Sequence, residues 1–586
     1  MNLGNFTQAG YNEVSDYLGS LLNSWRTARQ GMEEDWIDAW ANFISSPSAY
    51  EWLERNGLSK FIKSNDADDC NKVQWKHKVH TGKGFEIAEF LWAYLLHATF
   101  SNEQWFTVQA HEAEQVEHAN VIRLILSKEL DMADFKLAYD DWLRHLIVSG
   151  TSAMRIDWCN QKQMLKFEPI SNFRLYLQPN VPAHKADLFV VHFTNRRSLK
   201  RMIGVYNMLD EATLLALGSP NAGTEESEMD EIRAFTGVDR IDDWAPKGSD
   251  KITLYEYYGD VYEGMDYLGT CKVVFDGKHI LHFEKTHYCP IVVATFINLI
   301  EQSWGISPTT ASAGLLAADR KFLNSRLDNL ESSSQDAYTY TQDGVVDEDW
   351  EVFPGAKIRV LSQDAIQPLQ RGNTTLALTY QEEAALDSRI NRNVGTIPAV
   401  GGASMRQAER VTAQEVLASK QAGGVRLNQY HISIERKATN KMLQLAYTVL
   451  SKYGTKRRKA VYDSELGEVT AAYTPKETCC IEVQFKIAGS EAILAQDSEL
   501  TRTLEYAQTA AQIPQAAEKV DWDYILKRMG ELWGLKSPEK LLKQITANAD
   551  VTDEMSSSTQ NALDANMAVD GGATLAQQAY ENMKLQ

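Results

Sequence analysis

Four side chains that take metal ions, His279, His282, His287 and Cys289, fall within eleven residues, and imidazole with thiolate is a zinc-binding set. The stretches around them, "HILHFEK" and "PIVVATFIN", look like strands, and the strand period of two points His279 and His282 to opposite faces. They are not expected to converge on one ion, and a metal-dependent hydrolase built on this cluster stands as an alternative reading. "HTGKGFE", from His80, has the glycines and lysine of a phosphate cradle but not the GxxxxGK[ST] spacing that lets backbone amides and lysine hold phosphate together. "HEAEQVEH", His111 to His118, places its second histidine seven residues on, where a zincin needs four. Glu114 and His118 share a helix face there, expected to be a polar, exposed one. The basic run Lys456 to Lys459 could touch a phosphate backbone, but it follows a helix C-terminus, where positive charge is favourable without a ligand. No GxSxG elbow, EF-hand loop or convincing Cys–His pair occurs. No catalytic residue, cofactor or resident metal is expected.

The elements that would position any site change character along the chain. From Asn12 to Leu58 the sequence is helix-rich, with Val14, Leu18, Leu21, Leu22 and Trp25 at helical spacing, and the acidic "KSNDADDCN" then reads as a loop. Ile87 to Phe100 is a buried helix that carries Glu89 and is too short for a bilayer. Two further helices lead to Gly150, which stops the second. "TSAMRIDW", "MLKFEPI", "FRLYL" and "LFVVHF" read as strands of a mixed sheet. "SLKRMIGVYNML" and "DEATLLAL" read as helical, "GSPNAGTEESEMD" as a linker, and a second strand group runs from Lys251 to Asn298.

After that α+β body the pattern becomes one of long helices. Ser307 before Pro308 is an N-cap with a first-turn proline, opening a helix of about 25 residues, roughly 38 Å. A short acidic α/β insert with turns at Asp343-Gly344 and Pro354-Gly355 follows, and then a second helix, "TTLALTYQEEAALDSRINR". "RNVGTIPAVGGASMRQAERVTAQEV" is next, a small-residue loop that re-enters helix at the Thr412/Glu415 capping box. The last helix runs to Tyr453, about 42 residues or on the order of 60 Å, with a kink expected at Gly423-Gly424. Strands reach Ile487, a helical region reaches about Asn548, and the sequence after Asp550 has the composition of a mobile tail. The chain is predominantly helical α+β. A monomeric globule has no evident use for a helix–insert–helix–loop–helix excursion, whereas an oligomer can build a ring of helix pairs from it.

Bulk composition narrows the function further. With 44% hydrophobic and 10% aromatic residues the 586-residue chain is an ordinary folded protein, large enough for several cores. Its net charge of −20, from 79 acids against 59 bases, opposes sequence-specific binding to a polyanion. Six cysteines without CxxC spacing suit reduced thiols. The amino terminus has neither a basic leader nor an apolar signal core, so neither secretion nor organelle import is expected.

In this order the elements resemble the portal, or head-to-tail connector, proteins of tailed bacteriophages, most closely those of short-tailed phages. The resemblance is carried by "FEIAEFLWAYLLHATFSNEQWFTV", by "WLRHLIVSGTSAMRID" with "FEPISNFRLYLQPN", by "SWGISP" at the entry to the first long helix, and best by "AERVTAQEV", Ala408 to Val416. Ser101-Asn102 stands where a proline is common, Asn180 where an acid is usual and Trp304 where tyrosine is. The resemblance implies a ring, typically of twelve chains, at one capsid vertex of the virion, made in the host cytoplasm and without membrane association. It divides the chain into a wing (1–306 and 412–490), stem helices (307–336 and 373–392), a clip (337–372), a tunnel loop (393–411), a crown (491–550) and a mobile tail (551–586). Implied partners are further copies of the chain, the major capsid protein, the terminase motor, the tail adaptor, and double-stranded DNA passing without sequence specificity. Another virion structural or adaptor protein is the alternative within the same class.

A conduit must not grip DNA, since each phosphate neutralised adds affinity. Asp343, Asp347, Glu348, Asp349 and Glu351, repeated round a ring, would form a negative mouth acting over a Debye length of about 8 Å. Arg389, Arg392, Arg406 and Arg410 are the sparse cations that could meet phosphates. In the loop, Gly395, Gly401 and Gly402 supply backbone freedom, while Asn393, Ile397, Pro398, Val400 and Met405 offer contact without ionic adhesion.

Overall fold

The structure, a computed structural model, describes residues 8–53, 77–100, 104–110, 112, 115–217, 235, 251–263, 266–334, 338–340, 366–368, 375–395, 426–464, 467–487, 503 and 525. The chain divides into two compact units, 1–493 and 494–586, and every element below belongs to the first. Helix outweighs strand, and the fold is α+β as the sequence pattern indicates.

Helix α1 (Gln8–Ile44) is followed by α2 (Pro47–Trp52), whose start is fixed by Ser46 accepting from the Ala49 amide. The apolar stripe Val14, Leu18, Leu22 and Trp25 lies against a five-stranded sheet, where it meets Tyr176, Phe189, Tyr257 and Phe275. Helix α3 (Lys83–Phe100) buries Ile87, Leu91 and Leu95. Its Glu89 is explained by Arg144, 2.5 Å away on α5. After β1 (Phe106–Ala110) come α4 (Val116–Met132) and α5 (Phe135–Ser149). Gly150 ends α5 with φ +76°, its amide donating to Leu146 O, a left-handed cap that glycine adopts without strain.

The strands between Thr151 and Thr295 form two antiparallel sheets rather than one mixed sheet. In the first, β2 (Thr151–Cys159) lies between β3 (Met164–Ile170) and β9 (Ile291–Thr295). The second runs β4 (Leu175–Leu177), β5 (Leu188–Asn195), β6 (Lys251–Glu263), β7 (Asp266–Phe275), β8 (Ile280–Lys285). β9 thus leaves the group it follows in sequence. It is buried at every position, as a strand between layers must be, and bonds to β2 with Thr295 opposite Thr151. Along β2 the period of two sorts the residues: Met154, Ile156 and Trp158 face the helices, and Ala153 faces the other sheet. Of the predicted helix "SLKRMIGVYNML" only residues 198–200 are helical, as the end of α6 (Arg196–Lys200); turns follow, with Gly204 at φ +89°, before α7 (Glu211–Ala216).

Glu256 of β6 joins the two sheets from a buried position. Burial works against its charge, but His192, Arg155 and Lys272 outweigh that and hold its carboxyl well below the usual range. The imidazole of His192 is 2.8 Å away, Lys272 Nζ 3.0 Å, and the Tyr258 hydroxyl donates at 2.7 Å. Three histidines have the opposite character. Burial holds His80, His145 and His431 neutral, each pushed down to about 4. A pKa depressed in the folded state means the unfolded chain binds the proton more tightly, so stability is lost as pH falls from about 6.5 towards 4. Replacing the enclosed His431 with glutamine is expected to remove about 2–3 kcal/mol of that pH dependence, read from urea unfolding at pH 7 and pH 4.5.

Candidate functional site

Beyond β9 the chain builds a helical hairpin. Gly305 crosses Gly150 so closely that its amide reaches Thr151 Oγ1 at 2.9 Å. Ser307 then caps α8 (Pro308–Ala311), accepting from the Thr309 amide at 3.0 Å while its hydroxyl donates to Ile147 O at 2.9 Å. One hydroxyl both starts the helix and ties it to the end of α5. The single helix expected here is two: Ser312, at φ −103° and ψ 3°, separates α8 from α9 (Ala313–Ser334). α8 is held to α5 by Ser307 and Thr309, and the break lets α9 take its own direction.

β10 (Tyr338–Tyr340) and β11 (Ile366–Pro368) pair antiparallel beyond α9, and α10 (Thr375–Val394) returns alongside it. Arg326 of α9 makes a bidentate ion pair with Glu383 of α10 and stacks over Tyr380 at 4.6 Å. Nearer the base, Lys83 of α3 reaches Asp387 and Glu86, each at 2.9 Å. The lysine of "HTGKGFE" is therefore occupied by two carboxylates. Burial pulls its ammonium down, but those partners outweigh it and raise the pKa.

The outer edge of α9 is held by the segment 77–80. Asn324 exchanges hydrogen bonds with the backbone of Val79, accepting at 2.8 Å and donating at 3.0 Å, and Asp328 accepts from the His77 amide at 2.7 Å. Arg320 donates to Asn42 of α1 at 3.3 Å. None of these partners was legible as a site, because each joins segments tens to hundreds of residues apart and a lone Asn or Lys in a helix has no signature of its distant partner.

Leu386, Ile390 and Val394 of α10 are buried at i, i+4 and i+8 in the main core. That spacing corrects one boundary: Asn393 and Val394 belong to the helix, not to the loop, and Gly395 closes it at φ +86° with its amide on Asn391 O. Arg389, Arg392 and Asn393 lie on the exposed side. Arg392 Nε donates to Ser388 O, and its own carbonyl accepts from Arg426 at 2.9 Å. Ile397, Pro398, Val400, Gly401, Gly402, Met405, Arg406 and Arg410 lie outside the described residues, as do the acidic Asp343, Asp347, Glu348, Asp349 and Glu351, the Thr412/Glu415 box and Gly423-Gly424. The chain is helical again over 426–434 and passes through a π-helical turn, Glu435–Thr439, into α11 (Asn440–Tyr453). The sequence pattern gave no sign of that turn.

The other candidates are dispersed. His279 lies 3.3 Å from Asp276 and His282 3.4 Å from Glu284, each with its own partner. Among the described residues no three His, Cys, Asp or Glu side chains gather as a metal-holding group. His118 bonds to Thr478 O at 2.8 Å, while His111 and Glu114 lie outside the described residues. Arg458, within the basic run, turns inward to Glu129 rather than towards the end of α11. Among the described residues no helix is long and apolar enough to cross a membrane.

No curated protein matches the chain. The family model described as "bacteriophage head to tail connecting protein" matches residues 59–540, a span that contains the helical hairpin, the three- and five-stranded sheets and the segment 77–80 that holds α9. The chain therefore belongs to the bacteriophage head-to-tail connecting proteins.

Proposed function

We propose that the chain forms a ring, of about twelve copies as the resemblance implies, at one vertex of the capsid, and that double-stranded DNA is packaged and ejected through its centre. Family membership supports a structural role in the virion. The observation that carries the ring is the α9–α10 hairpin, which keeps Phe322, Leu330 and Tyr380 between 38% and 57% exposed on a helix pair whose inner face is already satisfied. Large apolar side chains along such a pair suit burial against the pairs of neighbouring copies. In this reading α8–α9 and α10 are the stem, the residues between them the clip that meets the terminase motor and then the tail adaptor, and the residues after Gly395 the tunnel loop. Arg389 and Arg392 sit where the second stem helix gives way to that loop and are exposed cations available to DNA phosphate. The acidic insert and the remaining loop residues keep the parts assigned to them from the sequence.

Electron microscopy of the purified full-length protein tests this. Rings with a central hole of roughly 20 Å or more, wide enough for a duplex, are expected; monomers or two-fold dimers at every concentration would overturn the reading.

A further inference from the structure

A cleft of about 330 Å³ opens along the free edge of β9, between that strand, the segment leading into β5, and α11. This volume is at the small end of the roughly 300–1,000 Å³ typical of ligand sites, and it suits one or two inserted side chains. Leu188, Val292, Val293 and Leu445 make its walls, and the exposed His184 and Lys441 complete it. No carboxylate is among its lining residues, and the exposed Lys185 stands beside His184, whose imidazole is pushed below its usual range by burial and by the two lysines, so Lys441 and Lys185 carry the charge. In a chain of net charge −20 this is an apolar recess edged by positive charge.

At the opposite edge of the same sheet lies a surface with the complementary character. The corner between α4 and α5 is fastened to β3 and to the β2–β3 turn: Phe135 packs on Phe167 of β3 at 4.8 Å, and Arg458, beside Met132, donates to Gln163 O. The corner exposes Leu137 by 66% and Met132 by 43%. Asp131, Asp134 and Asp141 surround them, also exposed, and Lys136 is the one exposed cation between residues 131 and 141. Since β2 separates β3 from β9, the acidic apolar corner and the basic apolar cleft lie on opposite edges of one sheet. Two different, complementary surfaces on opposite sides give a head-to-tail contact, which forms a ring where the rotation between copies closes and does not form a two-fold dimer.

We infer that neighbouring copies of this chain join through these two surfaces, with Leu137 and Met132 of one copy seated in the β9-edge cleft of the next and the corner's aspartates facing Lys441, His184 and Lys185. The inference deepens the ring reading above and rests on it. Leu137 is solvent-exposed within a single copy, so Leu137→Asp leaves the fold of that copy undisturbed, which circular dichroism and thermal unfolding verify.

Sedimentation velocity over a concentration series is the test. Leu137→Asp and Lys441→Glu each raise the concentration for half-assembly at least about tenfold, as the loss of a central contact does. Leu215→Asp, at a still more exposed leucine on α7, leaves it unchanged. Asp131→Lys combined with Lys441→Glu returns it to within about threefold of the wild type. With the cleft's own Cys289 and the exposed Cys480 replaced by serine, oxidation of a chain carrying Leu137→Cys and Leu445→Cys gives a ladder of covalent products extending past the dimer, which neither single variant gives. Leu137→Asp and Lys441→Glu chains assembling like the wild type, or cross-linked products that are absent or stop at dimers while microscopy shows rings, would overturn the inference and leave the ring reading standing. A wild-type chain that never forms rings would remove both.

Discussion

Gly150→Ala is expected to cost about 3–5 kcal/mol, one of the two largest losses from a single substitution in the described fold. Two effects combine. A non-glycine residue at φ +76° carries roughly 1–2 kcal/mol of left-handed strain. The added Cβ would also stand 2.5 Å from Ser307 N and 2.7 Å from both Gly305 O and Ile306 C. These are backbone atoms that cannot rotate away, and forced overpacking costs about 1–3 kcal/mol or more. Gly82→Ala separates the terms, because Gly82 has a similar φ of +69° and nothing within 4 Å of an added Cβ. It is expected to lose only the strain, about 1–2 kcal/mol. Urea unfolding of the two variants beside the wild type reads the difference. Equal losses would show that the crossing of residues 150 and 305 yields at little cost, and the entry to the hairpin would then not be fixed by it.

That crossing marks where the sequence stops being informative. The glycine as a helix stop, and Ser307-Pro308 as a helix start, follow from local chemistry and are seen in the structure. So does the α1 stripe, because four apolar residues on one helix face need only a partner surface and not a particular one. The pairing of β9 with β2, about 140 residues upstream, is a different kind of fact. "PIVVATFIN" is apolar at almost every position, so its pattern marks a strand buried on both faces without saying which edge it joins. The seat of the hairpin was hidden for the same reason: Lys83 with Asp387, and Asn324 with Val79, are meetings created by the fold. The break at Ser312 and the π-helical turn at Glu435–Thr439 interrupt patterns that read as continuous helix, since hydrophobic period records which face is buried and not how each hydrogen bond is made. The order of the elements resembles that of the head-to-tail connecting proteins, and the match to the family model over residues 59–540 bears out that resemblance at the level of the family.

Glu129→Ala is the other large loss, again about 3–5 kcal/mol, and its cause is electrostatic. Glu129 is wholly buried on α4. It accepts from Tyr473 of β13 (Gly467–Tyr473) at 3.0 Å and from Arg458 at the start of β12 (Arg458–Ser464), so one carboxylate fastens both ends of that hairpin to the helical core. Burial pushes its carboxyl up, and Arg458 and Tyr473 offset this only in part. The desolvation cost therefore exceeds what the pairing returns, and the pair is a poor source of net stability. Removing one partner is nonetheless damaging, because Arg458, whose side chain is 10% exposed, is left charged with no counter-ion. The two statements make a joint prediction. Alanine at 129 alone destabilises strongly, whereas Glu129→Leu with Arg458→Met, which replaces both charges with apolar groups, recovers most of the loss, as buried ion pairs do when exchanged whole. Urea denaturation of the single and double variants measures this directly. A double variant no more stable than Glu129→Ala would mean that Tyr473 and Gln163, two other partners of these side chains, depend on the charges for their own placement, and that the ion pair specifies the position of the hairpin instead of merely being tolerated there.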